Sequence, residues 1–340
     1  MENVYDYRYE RNGIKRVHFC IVNGISNRYL WHTPLELMFT LGGNIKYFAG
    51  GQWYLMETDD ILFFNEDCGH STTINTLDTY AASIQLHPSV LKEMGIYFSR
   101  ERDCVFVSKE AFCDKQQLKE FQQLLCWIIR DFQKGDPASL KAAESKAVVL
   151  FYDILRLSGM LLEETQNLEK SERSNARIEM VKQYISSHYR QNITLQELAD
   201  IAGYNKNYLC KVFQQQTGFS LMDYVDRTRL QAAADMIEKN DEKLTEIALH
   251  SGFSTYGRFS SYMVSCCGKK PQEYKADILR SKNSSSYRHY VDTSNPYVRT
   301  CLYAYQSCSS ATELISQQDK IASEIIQHSQ AILQLLNKPT

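Results

Sequence analysis

The stretch that decides the fold is Thr194-Leu195-Gln196-Glu197-Leu198-Ala199-Asp200-Ile201-Ala202-Gly203-Tyr204-Asn205-Lys206-Asn207-Tyr208-Leu209-Cys210-Lys211-Val212-Phe213. Thr194 is a natural N-cap, and Glu197, three residues on, completes a capping box. Leu195, Leu198 and Ile201 or Ala202 share one face at helical spacing. Gly203 ends the helix, where a positive φ is needed and glycine supplies it cheaply. A second helix starts near Asn205. Its Leu209, Val212 and Phe213 point inward, so Lys206, Asn207, Cys210, Lys211 and Gln214 face outward. Helix, tight turn and helix make a helix-turn-helix.

The unit occurs twice. Leu198-Ala199, Gly203-Tyr204, Leu209, Gly218 and Tyr224 recur as Ile247-Ala248, Gly252-Phe253, Phe259, Gly268 and Tyr274. The spacings are five, fifteen and six residues, then five, sixteen and six. In the second copy Leu244, Ile247 and Ala248 are inward on the first helix. Thr255 to Cys267 forms the second, with Phe259, Tyr262 and Met263 inward. Its outward set is Tyr256, Gly257, Arg258, Ser260, Ser261 and Val264, which holds one cation. Ser220 to Asn240 reads as one long connecting helix carrying Arg227 and Arg229, which are expected among the DNA contacts. Two such motifs imply a protein that reads neighbouring stretches of double-stranded DNA, with recognition helices about 34 Å apart. Amide and ammonium groups on an exposed second helix suit base edges and phosphates. A solvated helix face would look the same in isolation; the repeat favours the DNA reading.

Residues 177 to about 278 resemble the DNA-binding domain of the AraC/XylS family of transcription regulators. The matching residues are Ile193-Thr194-Leu195, Leu198-Ala199, Gly203-Tyr204, Tyr208-Leu209, Lys211, Phe213, Thr217-Gly218, Tyr224, Arg227 and Arg229-Leu230. In the second half they are Ile247-Ala248, Gly252-Phe253-Ser254, Phe259-Ser260, Gly268, Pro271 and Glu273-Tyr274. The resemblance implies DNA contacts from Lys206, Asn207, Cys210 and Lys211, then from Tyr256, Gly257, Arg258, Ser260 and Ser261. The family carries basic residues where this chain has Ser261 and Val264, so the second motif is expected to contribute less.

The bulk numbers fit. The 340 residues allow two or three domains. No run of about 18 apolar residues occurs, so no membrane span is expected. The start, Met1 to Gly13, lacks the apolar core of a signal peptide, which points to the cytoplasm. Ten scattered cysteines read as reduced thiols. Net charge is −2, but 171–282 holds 16 Lys and Arg against 13 Asp and Glu, a local +3. So mild a basic bias makes phosphate affinity a matter of placement.

Ahead of this domain, 14 to about 110 read as short strands. These include Val17 to Val22, Leu35 to Leu41, a hairpin of Ile45 to Phe48 with Gln52 to Leu55, and Ile61 to Phe64. Leu118, Phe121, Leu124, Leu125, Ile128, Ile129 and Phe132 then form a helical stripe. Gly135-Asp136-Pro137 breaks it, and a second long helix follows. The expected organisation is α+β and multidomain: a sensor barrel over 1–112, dimerisation helices over 113–165, a linker over 166–176, the DNA-binding domain over 177–281 and an extension over 282–340. In that extension Leu314, Ile321, Ile325, Ile332 and Leu335 suggest a last amphipathic helix.

The amino-terminal part resembles the small cupin barrel that many such regulators carry as a sensor. The residues are His32, Glu36, Gly50-Gly51, Asp59-Asp60 and Gly69-His70. Trp31, His32, Glu36, Met38, Tyr47, Trp53 and His70 are the candidate effector-pocket residues. Thr33-Pro34 stands where metal-binding cupins have a second early histidine, so no metal and no cofactor are expected. With no nucleophile paired to a base and no phosphate loop, neither is an enzyme. The expected function is transcription regulation in response to a small-molecule effector, by a homodimer, with RNA polymerase a further candidate partner. The rivals are a co-regulator of weak DNA affinity and a cupin enzyme fused to a DNA-binding module.

Overall fold

The computed structural model describes residues 6–11, 13–23, 28–73, 79–99, 104–107, 115–162, 168–239, 242–283, 289–291 and 295–306. The expected last helix, with Leu314, Ile321, Ile325, Ile332 and Leu335, lies outside them.

The amino-terminal part is two sheets. The strands are β1 (Asp6–Arg11), β2 (Ile14–Asn23), β3 (Tyr29–Leu30), β4 (Leu35–Gly42), β5 (Ile45–Ala49), β6 (Gln52–Met56), β7 (Ile61–Phe64), β8 (His70–Thr73), β9 (Tyr80–Leu86) and β10 (Cys104–Val107). One sheet runs β1-β2-β9-β4-β7-β10, with β11 (His289–Tyr290) added on β2; the other runs β3-β8-β5-β6. The expected β5–β6 hairpin is present, turning at Gly50 and Gly51. The strands thus build two sheets, and among the described residues no ladder closes them into one barrel.

The large sheet is buried on both faces, and strand periodicity divides its side chains. Val17, Phe19, Ile21, Leu35, Leu37, Phe39, Ile61, Phe63, Ala82, Ile84 and Leu86 enter one core. The alternate set, Cys20, Val22, Met38, Leu62, Phe64 and Ala81, forms a second core with Ile45, Tyr47, Ala49 and Met56 of the small sheet. This explains why β4 reads as nearly continuous apolar sequence and is buried at every position.

After the short helix α1 (Pro88–Glu93), helices α2 (Lys115–Lys134) and α3 (Pro137–Leu157) cover the first face. Asp136 caps α3, accepting from the backbone N–H of Ala138 and Ser139 at 3.1 and 3.0 Å. Buried Arg16 of β2 pairs with Glu144 of α3 at 2.6 Å and with Glu93 of α1 at 2.9 Å.

The remaining helices are α4 (Leu168–His188), α5 (Leu195–Ala202), α6 (Lys206–Thr217), α7 (Leu221–Lys239), α8 (Leu244–His250), α9 (Tyr256–Cys267) and α10 (Pro271–Asn283). The helix α4 starts at Leu168, so most of the expected linker 166–176 is helical backbone. Two cores result. Ile178, Val181, Ile185, Leu198, Leu209 and Phe213 belong to the first motif. Leu230, Ile247, Phe253, Phe259, Met263 and Tyr274 belong to the second. The chain then returns to the amino-terminal domain through β11 and α11 (Pro296–Gln306). There Val298 and Tyr305 join the core beneath α2.

Candidate nucleic-acid interface and sensor core

The first motif is built as its residues require. The Thr194 hydroxyl accepts from Glu197 N–H at 3.2 Å, and Thr194 N–H donates to the Glu197 carboxylate at 3.4 Å. Gly203 takes φ 64° and closes α5. Asn205 then caps α6, accepting from Tyr208 N–H at 2.9 Å. With Leu209, Val212 and Phe213 buried, Lys206, Asn207, Lys211 and Gln214 are exposed and Cys210 is half-buried. These five expected DNA contacts share one solvent face.

The second motif differs. Thr255 caps α9 through Arg258 N–H at 3.2 Å. Gly257, Arg258 and Ser261 are exposed; Ser260 and Tyr256 are half-buried. The Arg258 guanidinium is tied to Asp226 of α7, and the Tyr256 hydroxyl accepts from Gln272 at 2.6 Å. The one cation of this outer face is therefore already paired. Gly252 takes φ 93°, and a Cβ there would sit 2.5 Å from the Tyr189 carbonyl oxygen, so no side chain fits.

Two arginines expected at DNA are internal struts. Arg229 is 8% exposed. It donates to the carbonyls of Tyr189 at 2.8 Å and Gln191 at 2.9 Å, and pairs with Asp226 at 3.2 Å. Arg227 lies over the Phe219 ring at 4.2 Å and donates to Asp223 at 2.9 Å. Their positions on the buried side of α7 explain both.

The amino-terminal domain is docked against these helices along residues 28–33. Arg28 pairs with Glu238 of α7. Tyr29 enters the second-motif core, and its N–H donates to the Tyr274 hydroxyl at 2.9 Å. Trp31 packs against both helical cores, edge-on to Tyr224 with centroids 4.9 Å apart. Its indole N–H donates to the Asp67 carbonyl at 2.6 Å. Thr33 donates to Asp67 Oδ1 at 3.1 Å, and Lys182 Nζ of α4 donates to Asp67 Oδ2, also at 3.1 Å. Farther along, Lys269 reaches Thr73 at 2.9 Å, and Gly268 lies against the rings of Phe48 and Trp53.

The expected pocket residues therefore separate. Trp31 is an interdomain wedge. Trp53 is 45% exposed and faces Gly268 rather than the space between the sheets. Met38 and Tyr47 are packed between the sheets. His32, Glu36 and His70 come together: a ring nitrogen of each histidine and a Glu36 oxygen all lie within 4.8 Å of one another. Glu36 Oε2 is 2.8 Å from His32 Nε2 and 3.4 Å from His70 Nε2, while Oε1 accepts from Ser83 at 2.5 Å. Burial opposes ionisation of Glu36, but His32, His70 and Ser83 outweigh it and hold the carboxyl well below the usual carboxylate range. Burial likewise disfavours the His32 cation, yet the Glu36 charge prevails and its pKa is raised. Asp67, Lys182 and Tyr29 went unnoticed in the sequence, because no local pattern marks partners so distant in the chain.

Residues 198–277 match a family model described as a helix-turn-helix domain. That segment is an AraC-type helix-turn-helix domain. An uncharacterized HTH-type transcriptional regulator of Staphylococcus aureus is 25% identical over 130 residues, 38% of this chain. The chain spans only 17% of that protein's length. A probable AraC family transcriptional regulator from Rhodopseudomonas palustris is 28% identical, covering 30% of this chain and 97% of its own, with TM-score 0.29. ToxT from Vibrio cholerae is 14% identical over 77% of this chain and 98% of its own, with TM-score 0.47. Among the described residues no helix is long and apolar enough to cross a membrane.

Proposed function

We propose that this chain is a sequence-specific DNA-binding transcription regulator, with α6 as its main reading element. The observation that carries this is the solvent face of α6, where Lys206, Asn207, Lys211 and Gln214 stand together on a capped, buried-backed helix. Lysine neutralises phosphates, and amides pair with base edges in the major groove. The outer face of α9 adds Arg258, Ser261 and Gly257 as a weaker second contact. The AraC-type domain and relatives named as HTH-type regulators support the reading. Arg227 and Arg229 are left out of the contact set because each is held inside the protein.

The amino-terminal domain is the sensor in this reading, since residues 28–33 tie it to both helical cores. A ligand that moves β3 or the Asp67 turn would change how the two motifs are held. Self-association is assigned to the α2–α3 side, where Leu157 is 44% exposed beside a groove lined by Gln117, Phe121 and Leu124. RNA polymerase remains a candidate partner of the DNA-bound form.

The test is selection of binding sites from a random duplex pool, followed by gel shift across a salt series. A defined motif is expected, with log affinity falling linearly against log salt. Recovery of no motif would favour the co-regulator reading.

A further inference from the structure

We infer that Asp226 is a positioning residue for DNA binding: its carboxylate holds Arg258 back from the phosphate backbone and so sets how much the second motif contributes. The inference rests on the regulator reading above. Asp226 lies on α7 with its side chain 5% exposed. Its Oδ1 accepts from Arg229 Nη1 at 3.2 Å, and its Oδ2 accepts from Arg258 Nη2. The two guanidiniums are not equivalent. Arg229 is buried and fixed by the carbonyls of Tyr189 and Gln191. The Arg258 side chain is 52% exposed, and Asp226 is its one ion-pair partner among the described residues. One guanidinium is a fixed strut, the other is a movable arm, and both share a single carboxylate.

Arg258 stands in the first turn of α9, on the solvent face that also carries Gly257 and Ser261. A DNA phosphate and Asp226 Oδ2 offer its guanidinium the same thing, an anionic acceptor for a charge-assisted hydrogen bond. To reach a phosphate, Arg258 must leave Asp226 or bring that negative charge towards another. Either course subtracts from binding. Salt does little to weaken the restraint, because a buried carboxylate is screened much less than an exposed phosphate. Other donors of α9 are turned inward as well. The Tyr262 hydroxyl donates to Asp223 Oδ1 at 2.6 Å, and Gln272 holds the Tyr256 hydroxyl. On α6, by contrast, Lys206 and Lys211 are exposed. The second motif therefore has its cation in place but withheld, and Asp226 is the group that withholds it.

The test titrates the full native chain, Asp226→Asn, Arg258→Ala and the double variant against the selected duplex and a scrambled one across a salt series. A thermal melt of each gives its folded fraction. Asp226→Asn should bind severalfold tighter at low salt, and its slope of log affinity against log salt should steepen by about 0.9, one phosphate contact. A merely structural role would lower the melting temperature and leave the slope alone. Arg258→Ala should cost more affinity in the Asp226→Asn background than in the native one. Phosphate contacts are independent of sequence, so the slopes are read on both duplexes. A native chain that selects no motif would defeat the regulator reading and leave this comparison standing. Should Asp226→Asn fail to fold, Ser261→Arg decides. It places a cation one turn further along α9 and should steepen the native slope by more than Arg258→Ala flattens it. Three results would each overturn the inference: an unchanged slope in folded Asp226→Asn, weaker binding by that variant with its fold intact, or equal and opposite slope changes in Ser261→Arg and Arg258→Ala. The second would make Asp226 a buttress that presents Arg258 to DNA.

Discussion

The Lys182 ammonium lies 3.1 Å from Asp67 Oδ2, although 115 residues separate the two in sequence. Their side chains are 8% and 2% exposed. Asp67 also accepts from Trp31 and Thr33, so one turn of the amino-terminal domain binds both its own β3 segment and the first helix of the DNA-binding domain. Removing one partner of such a pair leaves the other charge buried. Lys182→Met should therefore cost about 3–5 kcal/mol. Lys182→Met with Asp67→Asn should recover part of that loss, because position 67 then carries no charge, while Glu66 still faces the site. Denaturant melts of the single and double variants check this; additive losses would show that the two residues do not act as a pair.

Arg229 tests the division between struts and readers. Its three partners are internal, so Arg229→Ala should lower stability by roughly 1.5–3 kcal/mol per charged hydrogen bond left unmade. The salt slope of DNA binding should stay unchanged in the folded fraction. A slope reduced by about one, with stability intact, would return Arg229 to the phosphate contacts.

The asymmetry of the two motifs has a structural basis. Arg258 is held by Asp226, whereas Lys211 stands on the open face of α6. Base-pair substitutions in the selected site should therefore weaken binding mainly within one major groove per subunit. Footprints of the mutated sites should show it. Equal sensitivity in two adjacent grooves would mean that DNA draws Arg258 away from Asp226.

Much of this was legible locally. Thr194, Glu197, Gly203 and Asn205 announce caps and a turn within a dozen residues, and the structure places each as its chemistry requires. The β5–β6 hairpin and helices α2 and α3 were legible for the same reason. The helical backbone from Leu168 onward was not legible, because polar sequence can be helical when the helix continues into a packed turn at Ile178 and Val181. Trp31 and Trp53 were placed in a pocket on residue type alone; what decided their positions was contact with Tyr224 and Gly268 of a domain far downstream in the chain. The His32–Glu36–His70 cluster was half legible: the residues were singled out, but their convergence on one point appears only in three dimensions.

The extension was legible only as a stripe whose residues lie outside the described structure. The part before it is informative. Val298 is fully buried, Tyr305 donates to Asp59 at 2.6 Å, and Tyr297 stacks on Tyr80 at 4.6 Å. Truncation after Asn283 would expose the α2 face that α11 covers, at about 1.5–3 kcal/mol for each large apolar side chain uncovered. A lower melting temperature with unchanged DNA sequence preference is expected. A truncated chain that melts as the full chain does would show that α11 contributes no net stability.

The most direct measurement is the affinity of Lys211→Ala and Asn207→Ala for the selected duplex and for a scrambled one, at fixed salt. Both side chains stand on the exposed face of α6, away from its packing residues. A loss of about 1–3 kcal/mol is expected for each residue that reaches a base edge, with discrimination against the scrambled duplex reduced. Unchanged affinity and unchanged discrimination in both variants would contradict α6 as the reading helix.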